Sequence, residues 1–126
     1  MRSASAILSR ASAALLALGG LALLFASDRI LPWLAPGMPP NAAWIGQLIA
    51  AGWAGIAFHN WIAREQRLGG IYGRPTVLLN LMLYMISALG LVKADGAPMA
   101  VRVMALPFGA MAALYGAVLL RGPFDT

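Results

Sequence analysis

Cysteine is absent from this chain, and histidine and acidic residues are scarce. One His and four acidic residues occur among 126 residues, and charged residues make up only 10% of the sequence. Without cysteine there are no disulfides, no thiolate metal sites and no cysteine nucleophiles. A metal site needs three or four ligands, and a single His gives little basis for one or for a Ser-His-Asp triad. We therefore predict no catalytic residues, no metal and no cofactor, and an enzyme is the less favoured class.

Apolar residues dominate the composition of the chain. They make up 61% of the chain, whereas an average soluble domain carries about 25% charged residues. A small soluble domain leaves much of its surface in water and cannot hide this much apolar area. The composition therefore indicates an integral membrane protein, and the length indicates a single transmembrane domain over residues 1–126.

The apolar residues fall into four runs separated by polar or proline-rich segments. A helix of about 20 residues crosses the hydrocarbon core of about 30 Å. The predicted fold class is all-α, an integral membrane four-helix bundle with up-down-up-down antiparallel transmembrane helices. The predicted spans are residues 6–27, 42–63, 75–92 and 98–120. A cleaved signal peptide is the alternative for the first span, but the residues before Asp28 lack the A-x-A pattern.

Proline predicts the breaks between and within these spans. Four prolines in residues 28–41 predict an extended connector along the headgroups, because proline cannot continue a helix. Asn41 is the predicted N-cap of the second span. Pro75 suits the first turn of the third span, and Pro107 predicts a kink in the fourth.

The distribution of Lys and Arg predicts the orientation. Six lie at the termini and in the central loop, and three lie in the other two loops. The positive-inside rule then predicts a multi-pass protein of the bacterial cytoplasmic (inner) membrane, N-in and C-in. The basic residues form no stripe, so the net charge of +5 indicates contact with the lipid bilayer and no nucleic-acid partner.

A polar cluster at the central loop is the first candidate site. An anionic headgroup or a phosphate-bearing ligand is one interpretation, aided by backbone N–H groups of Gly69, Gly70 and Gly73. The favoured alternative is a tight turn with topology-setting arginines. Similarly, the only His can serve haem, proton or quinone chemistry, but a hydrogen bond to Asn60 or to a neighbouring helix is favoured. The cluster comprises His59, Asn60, Arg64, Arg67, Tyr72 and Arg74.

Intramembrane polar residues form the second candidate set. Asn80, Tyr84 and Ser87 share one helix face, which we expect to point inward. With Gln47 they predict either a conduction path or ordinary interhelical hydrogen bonds, and the hydrogen bonds are favoured. Arg102 either faces a cavity or, as we prefer, snorkels or pairs with Asp95 or Asp28. No acid lies inside a span, which counts against proton-coupled transport.

Small residues recur every four positions in the second span, at Gly46, Ala50 and Ala54 and again at Ala51 and Gly55. Such faces let helices approach closely. The leading functional hypothesis is therefore a non-enzymatic structural or interaction protein or accessory subunit, which packs as a homo-oligomer or against a larger membrane protein partner. An oligomeric small transporter or channel is the alternative. A quinone- or lipid-headgroup-binding subunit of a membrane enzyme is a further alternative.

Overall fold

The computed structural model describes residues 4–68 and 71–121, and over these residues it contains helices and no strand. The all-α prediction is therefore confirmed. Over these described residues there are five α-helices and one short 3-10 helix, Pro40–Ala42. The α-helices are α1 (Ala4–Leu34), α2 (Ala43–Ile62), α3 (Arg74–Val92), α4 (Met99–Val103) and α5 (Ala105–Arg121).

Three helical segments of the described chain are long and apolar enough to cross a membrane: Ala4–Leu34, Arg74–Val92 and Met99–Arg121. The chain thus has the properties of a transmembrane protein. Helix α2 does not belong to this group, because Gln47, His59 and Asn60 interrupt its 20 residues. A fourth crossing by α2 stays a prediction.

Helix α1 is longer than the predicted span and corrects the extended connector. The helix continues to Leu34 and includes Pro32, after a break at Ala26 where φ is −128° and ψ is 27°. Beyond the break, the Ser27 hydroxyl donates to the Ala43 carbonyl at 2.6 Å, and Leu31 is buried. These contacts with other parts of the same chain favour a helix over residues 28–34, although Pro32 removes one helical hydrogen bond.

The start of α2 also differs from the prediction. Ala42, not Asn41, is the N-cap residue, and no side chain caps the helix. Asn41 lies within the 3-10 turn, in which the Ala42 N–H donates to the Pro39 carbonyl at 3.0 Å. This extra turn moves the helix start beyond Asn41, so the Asn41 cap was wrong.

The third and fourth spans agree more closely with the sequence. Helix α3 begins at Arg74 with Pro75 in its first turn and ends at Val92. The last span is interrupted at Met104, between α4 and α5. The interruption lies less than one turn before Pro107. Because proline has no N–H, the carbonyl of the residue four positions before a proline loses its helical hydrogen-bond donor. The helix is therefore interrupted near the position where Pro107 predicts a kink, and the kink itself stays a prediction.

The helices pack as two hairpins. Helix α1 packs along α2, and α3 packs along α5. Gly20 approaches Ala50 and Ala54, so part of the predicted small-residue face of α2 contacts α1. The tilted rings of Tyr84 and Phe108, 5.7 Å apart, join α3 to α5.

We call the end containing Ala4, Ile62, Arg74 and Arg121 the loop end, and the other end the opposite end. A hydrophobic core shared by both hairpins runs between these ends. Its buried members are Leu8, Leu16, Ala57, Leu68, Val77, Tyr84, Phe108, Tyr115 and Val118.

Candidate functional site

Four polar side chains from three helices meet in the core, toward the loop end. We call Ser12, Asn60, Asn80 and Tyr84 the polar network. All four are 0% exposed. Asn60 and Asn80 form a reciprocal amide pair, in which each Nδ2 donates to the other's Oδ1 at 2.8 Å. The network therefore links α1, α2 and α3 through side-chain hydrogen bonds.

The donors and acceptors of the polar network match one another. Asn80 Nδ2 also donates to the Thr76 carbonyl at 2.9 Å, and Asn60 Nδ2 also donates to Ser12 Oγ at 3.0 Å. Ser12 Oγ donates to Asn80 Oδ1 at 3.2 Å. A hydroxyl has one proton, so in the 2.5 Å bond between Ser12 and Tyr84 the Tyr84 hydroxyl is the donor. Every amide hydrogen and the Ser12 hydroxyl thus has a partner.

Tyr115 extends this cluster into α5. Its ring stacks on that of Tyr84, with centroids 5.9 Å apart and planes inclined by 14°. The Tyr115 hydroxyl and Ser9 Oγ are buried without a hydrogen-bond partner in the part of the chain that the structure describes. Helix α5 therefore contributes aromatic packing to the cluster.

The predicted intramembrane face is only partly assembled. Asn80 and Tyr84 point inward as expected, and Ser87 is half-buried beside a groove near the opposite end. Gln47 is exposed on α2 and makes no contact with the polar network that the structure records. Arg102 is exposed, and its Nη2 lies 3.9 Å from Asp95 Oδ1. The structure thus shows the loop ion pair that was one of the interpretations of Arg102.

His59 reaches across to the neighbouring hairpin. Its Nε2 lies 2.9 Å from the Thr76 hydroxyl on α3. This is the interhelical hydrogen bond favoured from the sequence, although the partner is Thr76 and not the adjacent Asn60. Asn60 itself points into the core and belongs to the polar network.

The remaining members of the central-loop cluster lie at the surface or against their own helix. Arg64 lies over the Trp61 ring at 4.3 Å and donates to the Trp61 carbonyl at 2.7 Å. The side chains of Arg67, Tyr72 and Arg74 are exposed.

The glycine part of the predicted anion site has a different explanation. Gly69 and Gly70 lie outside the described residues. A Cβ at Gly73 would overlap the Arg67 carbonyl and the Leu68 backbone. Glycine is therefore required at position 73 for chain packing, whether or not an anion binds.

Sequence reasoning missed the polar face of α1. Ser5, Ser9 and Ser12 are all buried, and they occupy positions i, i+4 and i+7, which lie on one helix face. The same spacing identified Asn80, Tyr84 and Ser87, so this signal was present in the sequence.

The structure also adds an ion pair between Arg10 on α1 and Glu65, with Nη2 and Oε1 2.6 Å apart. Sequence spacing gives no sign of this contact, because 55 positions separate the two residues.

Within the described ranges, no three His, Cys, Asp or Glu residues come close enough to hold a metal ion. Comparison with known proteins gives no match to a family model, a curated protein or a solved structure. Functional inference therefore depends on the geometry of this chain.

Proposed function

We propose that this protein is a non-enzymatic four-helix transmembrane protein that acts by binding a membrane partner through the outer face of α2. The partner is a second copy or a larger membrane protein. In this proposal α2 crosses the bilayer as the second of four antiparallel spans. The arginines keep the termini and the central loop in the bacterial cytoplasm, in line with the positive-inside rule.

The observation that carries the proposal is an unfilled surface on α2. A Cβ added at Gly52 or at Gly55 would meet nothing within 4 Å. Ala51 is also exposed, and Leu48 is 64% exposed beside them. Leu48, Gly52 and Gly55 follow helical spacing and form one face. Small residues on a lipid-facing surface permit close approach of another helix, which van der Waals packing then stabilises.

The polar network supports the same proposal indirectly. Its amide groups bond to one another and to the Thr76 carbonyl, so these groups are already engaged within the chain. Interhelical bonds of this kind are a common means of holding membrane helices together. We assign the network a structural role and place the functional surface outside it.

The channel and the quinone-site alternatives have less support. The predicted conduction path through Asn80 and Tyr84 also needs Gln47, but Gln47 lies on the exposed side of α2. A quinone or haem role for His59 competes with its 2.9 Å contact to Thr76.

The test combines Gly52→Leu and Gly55→Leu in one chain, because two large side chains block close helix approach. The protein is expressed at native level, purified in mild detergent with any bound partner, and examined by native mass spectrometry from lipid nanodiscs. We expect a complex for the wild type and at least a fivefold loss of complex for the double variant. Ala110→Leu, on the exposed side of α5, is the matched control and should leave the complex unchanged.

Two results would contradict the proposal. One is a wild-type chain that is monomeric and free of partner proteins under these conditions. The other is a double variant that folds, as judged by circular dichroism, and still forms the complex in full yield.

A further inference from the structure

A groove between α1 and α2 combines an apolar floor with a cationic end. It has a volume of about 400 Å³, and Arg10 is its charged lining residue. Small side chains, including Ala14, Ala17 and Ala54, keep the groove open, and Phe58 and Trp61 form part of its wall. The groove therefore suits an amphipathic ligand that is apolar along its length and charged at one end.

The direction and length of the groove suit a lipid chain. Its lining extends along α1 from Arg10 to Leu24, which at 1.5 Å per residue is roughly 21 Å. One leaflet of the hydrocarbon core is about 15 Å deep. Arg10 and Trp61 lie at the loop end, and basic and aromatic residues of this kind are typical of a membrane interface. An acyl chain lying in the groove thus brings its headgroup to Arg10.

The charges at this end are unbalanced in favour of an anion. Arg10 Nη2 is paired with Glu65, and Arg10 Nη1 is buried without a hydrogen-bond partner among the residues that the structure describes. Arg64 Nε lies 3.9 Å from the same Glu65 carboxylate. Two guanidinium groups therefore share one carboxylate, and Glu65 itself is 71% exposed. Guanidinium groups recognise phosphate through paired N–H donors.

We propose that this groove binds an anionic phospholipid, with one acyl chain between α1 and α2 and the phosphate held by Arg10 and Arg64. In this arrangement Glu65 competes with the phosphate for the same two guanidinium groups. A second copy of the chain is a poorer occupant, because an apolar helix leaves the excess positive charge at Arg10 unmatched. The proposal does not depend on the α2 partner surface.

Because Glu65 competes with the phosphate, substitutions of Arg10 and of Glu65 should change lipid binding in opposite directions. Delipidated protein is titrated with phosphatidylglycerol or phosphatidylcholine and bound lipid is counted by native mass spectrometry. Arg10→Gln should weaken phosphatidylglycerol binding about fivefold, since one basic residue near anionic lipid contributes about 1 kcal/mol. Glu65→Gln should strengthen it. Arg102→Gln, at the opposite end, is the matched charge control and should have no effect.

A second pair of variants tests the apolar part of the groove. Ala54→Leu fills the groove from its exposed side and should reduce lipid binding at least threefold, whereas Ala110→Leu should not. The proposal is overturned if Arg10→Gln and Glu65→Gln weaken binding alike, which would mean that the ion pair is only structural. It also fails if phosphatidylcholine binds equally well, if inorganic phosphate alone displaces the lipid, or if Ala54→Leu changes only the fraction of dimer.

Discussion

The two ends of the molecule hold their helices together in different ways. At the loop end, hydrogen bonds among Ser12, Asn60 and Asn80 connect α1, α2 and α3. At the opposite end, a groove of about 420 Å³ lies between the hairpins, lined mainly by apolar side chains with Ser87 as a polar member. Both helix interruptions, at Ala26 and at Met104, lie toward this opposite end.

This difference shows where the sequence specifies the pairing of the hairpins. Between membrane helices, apolar contact gives little net drive because lipid tails are equally apolar. Directional hydrogen bonds and close backbone approach must then select the correct neighbour. The polar network supplies the directional bonds at the loop end. At the opposite end, the close approach that the structure shows lies within the α1–α2 hairpin, at Gly46 against Ser27.

The largest effect is expected from Asn80→Leu. The substitution removes both bonds of the amide pair and the acceptor for Ser12, and so leaves Asn60 with unpaired polar atoms in the core. A buried partner left unpaired costs about 1–3 kcal/mol. We expect a loss of about 2–3 kcal/mol in the free energy of unfolding, measured by denaturing-detergent titration with circular dichroism.

A double-mutant cycle with Asn60→Leu checks the reason for that loss. Once Asn60 is apolar, Asn80→Leu strands fewer polar atoms, so the double variant should be much less destabilised than the sum of the single variants. Additive effects would mean that the amide pair contributes little and that the loop end is held by apolar packing.

An intermediate effect is expected from Gly46→Ala at the opposite end. A Cβ at Gly46 would overlap the Ser27 hydroxyl and crowd Leu31, and so would disturb the bond from Ser27 to the Ala43 carbonyl. Overpacking of this kind costs about 1–3 kcal/mol, partly offset by about 1 kcal/mol of helix propensity. We expect a net loss of up to about 2 kcal/mol in the same unfolding assay.

Gly52→Ala is the matched control for this prediction. The site is on the same helix, and an added Cβ meets nothing within 4 Å. Alanine should therefore stabilise the chain by up to about 1 kcal/mol through helix propensity alone. Equal responses at the two glycines would contradict the close packing of α1 on α2 at the opposite end.

Much of the fold is predictable because long apolar runs leave few alternatives to helices. The bounds of α3 and the break before Pro107 follow from local signals of proline and polar residues. The helical course of residues 28–34 does not, because it depends on the Ser27 bond to Ala43 and on the burial of Leu31. Tertiary contacts of this kind outweigh the tendency of Pro32 to end a helix.

The candidate sites are predictable only where periodicity identifies a face. The spacing along α3 correctly predicted that Asn80 and Tyr84 point inward. The same reasoning applied to α1 would have identified Ser12. Spacing within one helix does not reveal which other helix a residue meets. For that reason the contact of His59 with Thr76 and the pairing of Arg10 with Glu65 required the structure.

The smallest effect is expected from Gly90→Leu, beside the opposite-end groove. Gly90 is exposed, lines this groove, and an added Cβ would meet nothing within 4 Å. Leucine improves helix propensity by somewhat less than 1 kcal/mol and adds apolar surface where there is room for it. We expect a small gain of less than about 1 kcal/mol in the unfolding assay. A loss larger than about 1 kcal/mol would mean that the hairpins close tightly over Gly90, and the contrast between the two ends would then disappear.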